Sequence, residues 1–291
     1  MMGEQVLQAR DVETDMGFGI PGKSPDLSPV DPRWPEYIEQ RRIRITDARP
    51  IAGRLSLDRE GIELHAHPVT LDDYFDQDAV ANVLVPPTLD LIARLSGTPE
   101  VFLLETVVRA EPGLKRQRAD LAANRVLSYA ARAHLDGDET MFRDWAAHLL
   151  PATYPARYAA APFAVYNIWK PIRRVENNPL AFCSAVSFTD ADLVDAFSTG
   201  LDQSLTQDEY LPEQIRYFHL AHAPGQQWYY FADMLPEEAV VFKQWDSRPD
   251  HADRVAHGAF VDPASKPGSP PRQSVELRVI AFFPTSATDT S

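Results

Sequence analysis

The stretch Pro271-Arg-Gln-Ser-Val-Glu-Leu-Arg-Val-Ile-Ala-Phe-Phe283 decides the fold. From Val275 to Phe283 it gives the strongest strand signal in the chain, rich in β-branched and aromatic residues and free of glycine and proline. Strand-like runs precede it at Phe163–Trp169, Leu180–Phe188, Ile215–Ala221, Trp228–Ala232 and Val240–Trp245. Ile215–Ala221 and Trp228–Ala232 read as a hairpin turning at Pro224-Gly225. Nearer the start, Arg42–Thr46, Arg54–Leu57 and Ile62–His67 alternate as short strands, and Val101–Val108 is another candidate. Helices are expected at Thr88–Ser96, capped by Thr88 and stopped by Gly97, and at Asp138–Leu150, where Met141, Phe142, Trp145 and Leu149 share a face. A third is expected at Thr189–Phe197, opened by the capping box Thr189-x-x-Asp192. Helices thus cluster in the first half and strands dominate the second. A mainly β protein with flanking helices, a sandwich or jelly roll, fits that order; a doubly wound sheet would alternate the two.

The chain has 291 residues, 44% of them hydrophobic, enough for one full core. Residues 1–40 read as a loosely ordered lead-in because Pro21, Pro25, Pro29, Pro32 and Pro35 recur too closely for a helix. A single domain is expected over 41–284, with a frayed Ser/Thr-rich tail at 285–291. The formal charge of −14 argues against nucleic acid or an anionic membrane surface as partner. No run approaches the roughly 20 apolar residues of a membrane span, and Met1–Thr14 lacks a signal-peptide core, so a cytoplasmic protein is expected. Self-association into a homo-oligomer is left open. One cysteine, Cys183, excludes an internal disulfide framework and a Cys-rich zinc site.

Several motifs fail on context. Gly17-Phe-Gly-Ile-Pro-Gly22 spells the dinucleotide fingerprint, but nothing strand-like precedes it and Pro21 sits inside the loop, so it reads as a turn. Cys183 lies in an apolar run and reads as a buried thiol. His65-x-His67 has no third ligand nearby and reads as a surface or hydrogen-bonded pair.

One constellation survives. With 8 His and 42 acidic residues, an acid two positions after a histidine should occur about once by chance; it occurs twice, at His134-x-Asp136 and His251-x-Asp253. Along a strand or its exit, residues two apart point to one side, so such a pair can grip one metal ion. A mononuclear non-haem iron site needs a second imidazole from a distant strand, leaving one face of the ion open. The only histidine downstream of the second pair is His257, four residues beyond His251 in a proline-flanked loop, which is too local. His134 and Asp136 follow the strand-like Val126–Ala133 and have histidines well downstream. His257 is the favoured distal partner because it leads through a Pro-rich loop to Arg272 and Ser274, which share a face at the start of the strongest strand. A guanidinium beside a hydroxyl suits a carboxylate, so a dicarboxylic keto acid anchored there would reach the metal with its other end.

These residues, taken with Asp47-Ala-Arg-Pro50, Leu55-Ser-Leu-Asp-Arg-Glu-Gly61, Val107-Val-Arg109, Asn167-Ile-Trp-Lys-Pro171, Pro179-Leu-Ala-Phe-Cys183, Trp228-Tyr-Tyr-Phe231, Phe242-Lys-Gln-Trp-Asp-Ser247 and His257-Gly-Ala-Phe260, carry a resemblance. From about Arg42 to Pro284 the chain resembles the CmcJ/NvfI group of iron(II)/2-oxoglutarate-dependent oxygenases. The resemblance implies a double-stranded β-helix core of the jelly-roll, cupin-like kind. It also implies an Fe(II) site of His134, Asp136 and His257, with Arg272 and Ser274 on the distal carboxylate of 2-oxoglutarate, and O2 as oxidant. The chain departs from the group's pattern at Lys170, where arginine is usual, at Gln227, where histidine is common, and at Ser184-Ala-Val186, where Asp-Ala-Arg is usual. These positions bear on substrate, not on metal.

The implied activity is hydroxylation or desaturation of a small molecule, such as a secondary metabolite. Candidate substrate contacts are Arg109, Asn167, Trp169, Lys170, Trp228 and Tyr230; Trp169, Trp228, Tyr229, Tyr230 and Phe231 could line an apolar pocket. The competing reading is a jelly-roll small-molecule-binding protein without catalysis. Methyl transfer is disfavoured, because no glycine-rich loop follows a strand.

Overall fold

The structure is a computed structural model that describes residues 10–28, 31–111, 114, 121, 126–150, 153–199 and 214–283. Fourteen strands build two sheets among the described residues. The larger runs in the order β1 (Val12–Gly19), β2 (Ile38–Asp47), β11 (Trp228–Tyr230), β8 (Leu180–Cys183), β13 (Ala256–Ala259), β6 (His134–Leu135), β10 (Gln214–Leu220) and β9 (Leu193–Thr199). The smaller runs β3 (Ile62–Ala66), β12 (Glu238–Asp246), β7 (Phe163–Pro171), β14 (Ser274–Phe282), β4 (Val101–Arg109) and β5 (Val126–Leu127). The architecture is the expected mainly β one, with strand neighbours distant in sequence, as in a jelly roll.

Register fixes what each face carries, because side chains alternate and paired residues share a side. On β14, Val275, Leu277 and Val279 join Ile168, Tyr166 and Val241 in a core beneath Leu91 and Ile92 of the helix Val85–Ser96. The opposite face of that sheet presents Ser274, Glu276 and Arg278, with Trp169 and Asn167 beside them on β7 and Glu105 and Arg109 on β4. One end of this inner face is closed by Phe142 and Ala146 of the helix Glu139–Leu149. The other end meets Phe182 of the larger sheet. Each apolar layer thereby buries one face of the smaller sheet and leaves a polar strip between the sheets.

Several local expectations are corrected. Within the supposed lead-in, β1 pairs along its whole length with β2, and isolated bridges Gly17–Arg132 and Gly19–Ala221 bring it back against the far side of its own sheet. Residue 41 is therefore no boundary; the tail 285–291 lies outside the described residues. The Gly-rich stretch is mostly strand because its glycines permit close approach: a Cβ on Gly19 would lie 2.6 Å from Cβ of His219. Arg54–Leu57 is not a strand; Pro50 opens a 3-10 turn at Arg49–Arg54. The helix expected from Thr88 begins earlier, after a π turn at Val80–Leu84, and buried Thr88 donates its hydroxyl to the Leu84 carbonyl; Gly97 does end it, in the left-handed conformation. The capping box at Thr189 closes only one turn, Asp190–Asp192, after which alternating burial makes β9. Strand β10 does not pair with β11, since β8, β13 and β6 stand between them. His257 lies in a strand rather than a loop.

Gly258 is the glycine of β13 that faces the closest backbone. A Cβ there would lie 2.5 Å from the Arg132 carbonyl oxygen and 2.5 Å from Met16 Cε, next to His257 and across from β6. Gly258→Ala is expected to cost about 1–3 kcal/mol in chemical denaturation, as overpacking does. An unchanged midpoint would contradict the close approach of β13 to β6.

Candidate metal centre

His134 and His257 are register partners on adjacent strands, with ring centroids 4.3 Å apart. Asp136 leaves β6 two residues after His134, on the same side. Nε2 of His134 stands 3.5 Å from Oδ1 of Asp136, and Nε2 of His257 stands 3.7 Å from its Oδ2. One ligand atom from each of the three residues lies within 4.8 Å of the others, the spacing a single metal ion requires. Backbone carbonyls set the tautomers. His134 Nδ1 donates to the Arg132 carbonyl at 2.9 Å and His257 Nδ1 to that of Val255 at 3.4 Å, which leaves both Nε2 lone pairs facing the carboxylate.

The electrostatics suit a cation. Burial, reinforced by His134, pushes the His257 imidazole down to about 4, so it is a neutral donor at pH 7. Burial alone would raise the Asp136 carboxyl, but the imidazoles of His257 and His134 and the guanidinium of Arg109 outweigh it and hold the group well below the usual carboxylate range. Oδ2 of Asp136 also accepts from Arg278 Nη2 at 2.9 Å and from the Gln244 amide, while Arg278 donates Nε to Gln244 and pairs with Glu105. That oxygen is thus held, and Oδ1 is the one left for a metal.

Three arginines line the inner face, Arg272 and Arg278 buried and Arg109 partly exposed, and their partners differ. Arg109 pairs with Glu276 at 3.1 Å, and Arg278 with Asp136 and Glu105. Arg272, 2% exposed, has no carboxylate within ion-pair distance among the described residues: Nη1 donates to the Asn178 carbonyl at 2.8 Å and buried Nε has no partner. Its guanidinium lies 4.7 Å from the Tyr129 ring centroid and 5.4 Å from that of Trp169. The hydroxyl of Ser274 is fully buried and, among the described residues, unpartnered, as are both polar atoms of Asn167 and the indole N–H of Trp169. Buried donors without acceptors are costly unless a ligand completes them. These residues therefore fit a bound carboxylate, as the His/Asp/His set fits a divalent ion.

The remaining sequence candidates divide by parity. Asn167 and Trp169 face the inter-sheet space, and Arg109 does so while bound to Glu276. Lys170 points the other way, its ammonium held by the carbonyls of His67 and Pro236, so the structure does not bring it to the triad. Trp228 and Tyr230 likewise pack on the far face of the larger sheet, against Phe18 and Phe260. Tyr229, between them, pairs with Phe182, the register partner of His257, and so shares the metal-side face. Sequence reasoning missed Gln244, Arg278 and Glu105. Arg278 was accessible to it, since it continues the 272, 274, 276 alternation. Apart from the Gly-rich stretch, the failed motifs behave as read: Cys183 is buried with its thiol pushed up to about 12 by burial, His65 meets Glu63 and His67 meets Thr88.

Fold and site together define a class: a two-sheet jelly roll carrying a His/Asp/His triad between its sheets. Residues 26–282 match the family described as "Oxidoreductase/YMDC permease-like domain", and the chain belongs to that family. It is 27% identical over 271 residues, 90% of this chain and 91% of the other, to alpha-ketoglutarate-dependent dioxygenase phiK of a fungal species (strain ATCC 74256). Over a shorter stretch of 126 residues, 42% of this chain and 56% of the other, it is 37% identical to hydroxylase/desaturase asaB of Aspergillus flavus. Among solved structures, the iron and alpha-ketoglutarate-dependent endoperoxidase NvfI superposes with a TM-score of 0.78, covering 94% of this chain and 99% of that one at 20% identity; the two share a fold.

Proposed function

We propose that this chain is an iron(II)/2-oxoglutarate-dependent oxygenase that hydroxylates or desaturates a small molecule, in line with relatives named dioxygenase and hydroxylase/desaturase. The observation that carries the reading is the convergence of His134, Asp136 and His257 on one sheet, with a buried arginine, Arg272, at the start of a strand of the other sheet and no carboxylate within ion-pair distance of it among the described residues. When bound, the iron and 2-oxoglutarate supply oxidative decarboxylation to succinate coupled to oxidation of a C–H bond.

The protein's part is binding, orientation and exclusion of water. His134 and His257 would hold the ion through Nε2, and Asp136 through Oδ1, with Gln244 and Arg278 occupying its other oxygen. A single carboxylate oxygen on the ion leaves more open positions than a chelating one. Arg272 and Ser274 would take the distal carboxylate of the cosubstrate, the planar fork binding both oxygens and the hydroxyl adding a third donor. Phe182 and Phe242, whose rings lie 5.1 Å apart, with Phe242 4.7 Å from the ring of His257, keep one flank dry. Asn167 offers an amide to whatever enters. No helix among the described residues is long and apolar enough to cross a membrane, and the acidic composition favours a small-molecule partner over nucleic acid.

The experiment is direct. Anaerobic addition of Fe(II) and 2-oxoglutarate should produce a weak visible charge-transfer band, lost in Asp136→Ala, and admission of air should yield succinate. Wild-type protein that gives neither band nor succinate would leave a binding protein without catalysis.

A further inference from the structure

Beside His134, a second guanidinium stands without a carboxylate. Arg132 lies two residues before His134, and its side chain leaves the strand on the same face. It donates Nε to Nε2 of His219 at 2.9 Å, reaches the Tyr217 hydroxyl at 3.4 Å, and lies 4.5 Å from the Trp34 ring centroid. None of these partners is negative, and among the described residues no Asp or Glu oxygen stands within ion-pair distance of it. Trp34, fixed by its indole N–H on the Ser28 carbonyl, brings the N-terminal segment into this corner.

His219 is the register partner of His134 and is fully buried. Because its Nε2 accepts from Arg132, its proton sits on Nδ1, and that buried N–H has no partner among the described residues. The Tyr217 oxygen already accepts from Arg132, so its O–H remains a donor. The cluster is therefore all donors, in a chain of formal charge −14 that does not lack acids to place there. Donors of this kind beside a metal-binding histidine match an anionic oxygen of a ligand.

We propose that Arg132, with Tyr217 and His219, anchors a carboxylate of the substrate itself, so that the enzyme oxidises a carboxylic acid. The inference rests on the oxygenase reading. Residues two apart on a strand are about 7 Å from each other, so the oxidised carbon lies within a few bonds of the carboxylate. Arg272 then reads the cosubstrate's carboxylate and Arg132 the substrate's.

The test uses matched probes, 4-phenylbutyrate against 4-phenylbutanamide and octanoate against octanamide. Binding is followed by ligand-observed NMR on zinc-loaded protein with excess 2-oxoglutarate, which fills the Arg272 end. The acids are expected to bind at least roughly tenfold more tightly than the amides, as one charge-assisted contact allows. That preference should vanish in Arg132→Gln, return in part in Arg132→Lys, and shrink in Tyr217→Phe. The anaerobic Fe(II)/2-oxoglutarate band of Arg132→Gln should match wild type, separating loss of the anchor from loss of the fold. Equal binding of acids and amides, no acid binding, or a preference that survives Arg132→Gln overturns the proposal. A wild-type protein without the band overturns the oxygenase reading instead, and the acid preference is read without turnover.

Discussion

Replacing Arg272 by methionine is expected to weaken 2-oxoglutarate binding by two to three orders of magnitude while leaving the unliganded protein as stable as wild type, or more so. The two effects have one cause. The guanidinium is buried without a counter-ion, and burial brings its pKa down to about 10, a sign of strained solvation. A hydrogen bond to a charged group contributes about 1.5–3 kcal/mol; two of them to one carboxylate account for roughly a hundredfold to twenty-thousandfold in affinity, and the expected loss lies in the lower half of that range. Without the ligand, the same charge is a liability, and an apolar side chain of similar volume relieves it. Titrating the charge-transfer band measures the first effect and thermal unfolding of metal-free protein the second. A Kd within threefold of wild type would remove Arg272 from the site.

Arg278→Met should do the opposite. Arg278 compensates two buried carboxylates, Glu105 and Asp136, and its loss leaves both facing each other's charge. Breaking a buried pair in this way costs about 3–5 kcal/mol. The pH dependence has a definite sign. Removing the guanidinium raises the carboxyls relative to wild type, so the folded variant takes up more protons than folded wild type and the deficit narrows as the pH falls. A saturating divalent ion should also recover part of the loss, because it replaces the missing positive charge beside Asp136. Denaturation at pH 7.5 and pH 5, with and without zinc, checks both. A deficit that neither acid nor metal reduces would mean that Arg278 serves packing alone.

The parts of the site that were legible in the sequence share a property: each could be reasoned from spacing along one strand. His134 and Asp136 sit two apart, as do Arg272 and Ser274, and period-two geometry puts each pair on one side whatever the rest of the fold does. What could not be read was which side faces the metal on strands with no such marker. Trp169 and Lys170 were both plausible contacts, yet adjacent strand residues face opposite ways, and only the register with β14 decides that Trp169 is the inner one. The same slip chose Trp228 and Tyr230 over Tyr229. A one-residue choice on a strand exchanges its whole inner set for its outer set.

The misread hairpin has a related origin. Pro224-Gly225 is a sound turn signal, but a turn does not require its flanking strands to pair, and jelly-roll strands find partners far along the chain. The N-terminal segment failed for a different reason. Its prolines disfavour a helix and its Gly-rich stretch reads as a turn, whereas Gly17 and Gly19 let β1 lie against Arg132 and Ala221 with no side chain in the way. That contact links the segment to the strand bearing His134.

The most direct test of the central claim is a cobalt(II) titration of metal-free protein followed by its visible absorption, in wild type and in His134→Ala, Asp136→Ala and His257→Ala. One equivalent per chain should bind to wild type, and each substitution should weaken it by roughly a hundredfold or more, beyond what loss of a supporting contact causes. Wild-type affinity and stoichiometry in any one of the three variants would contradict a single ion shared by all three residues.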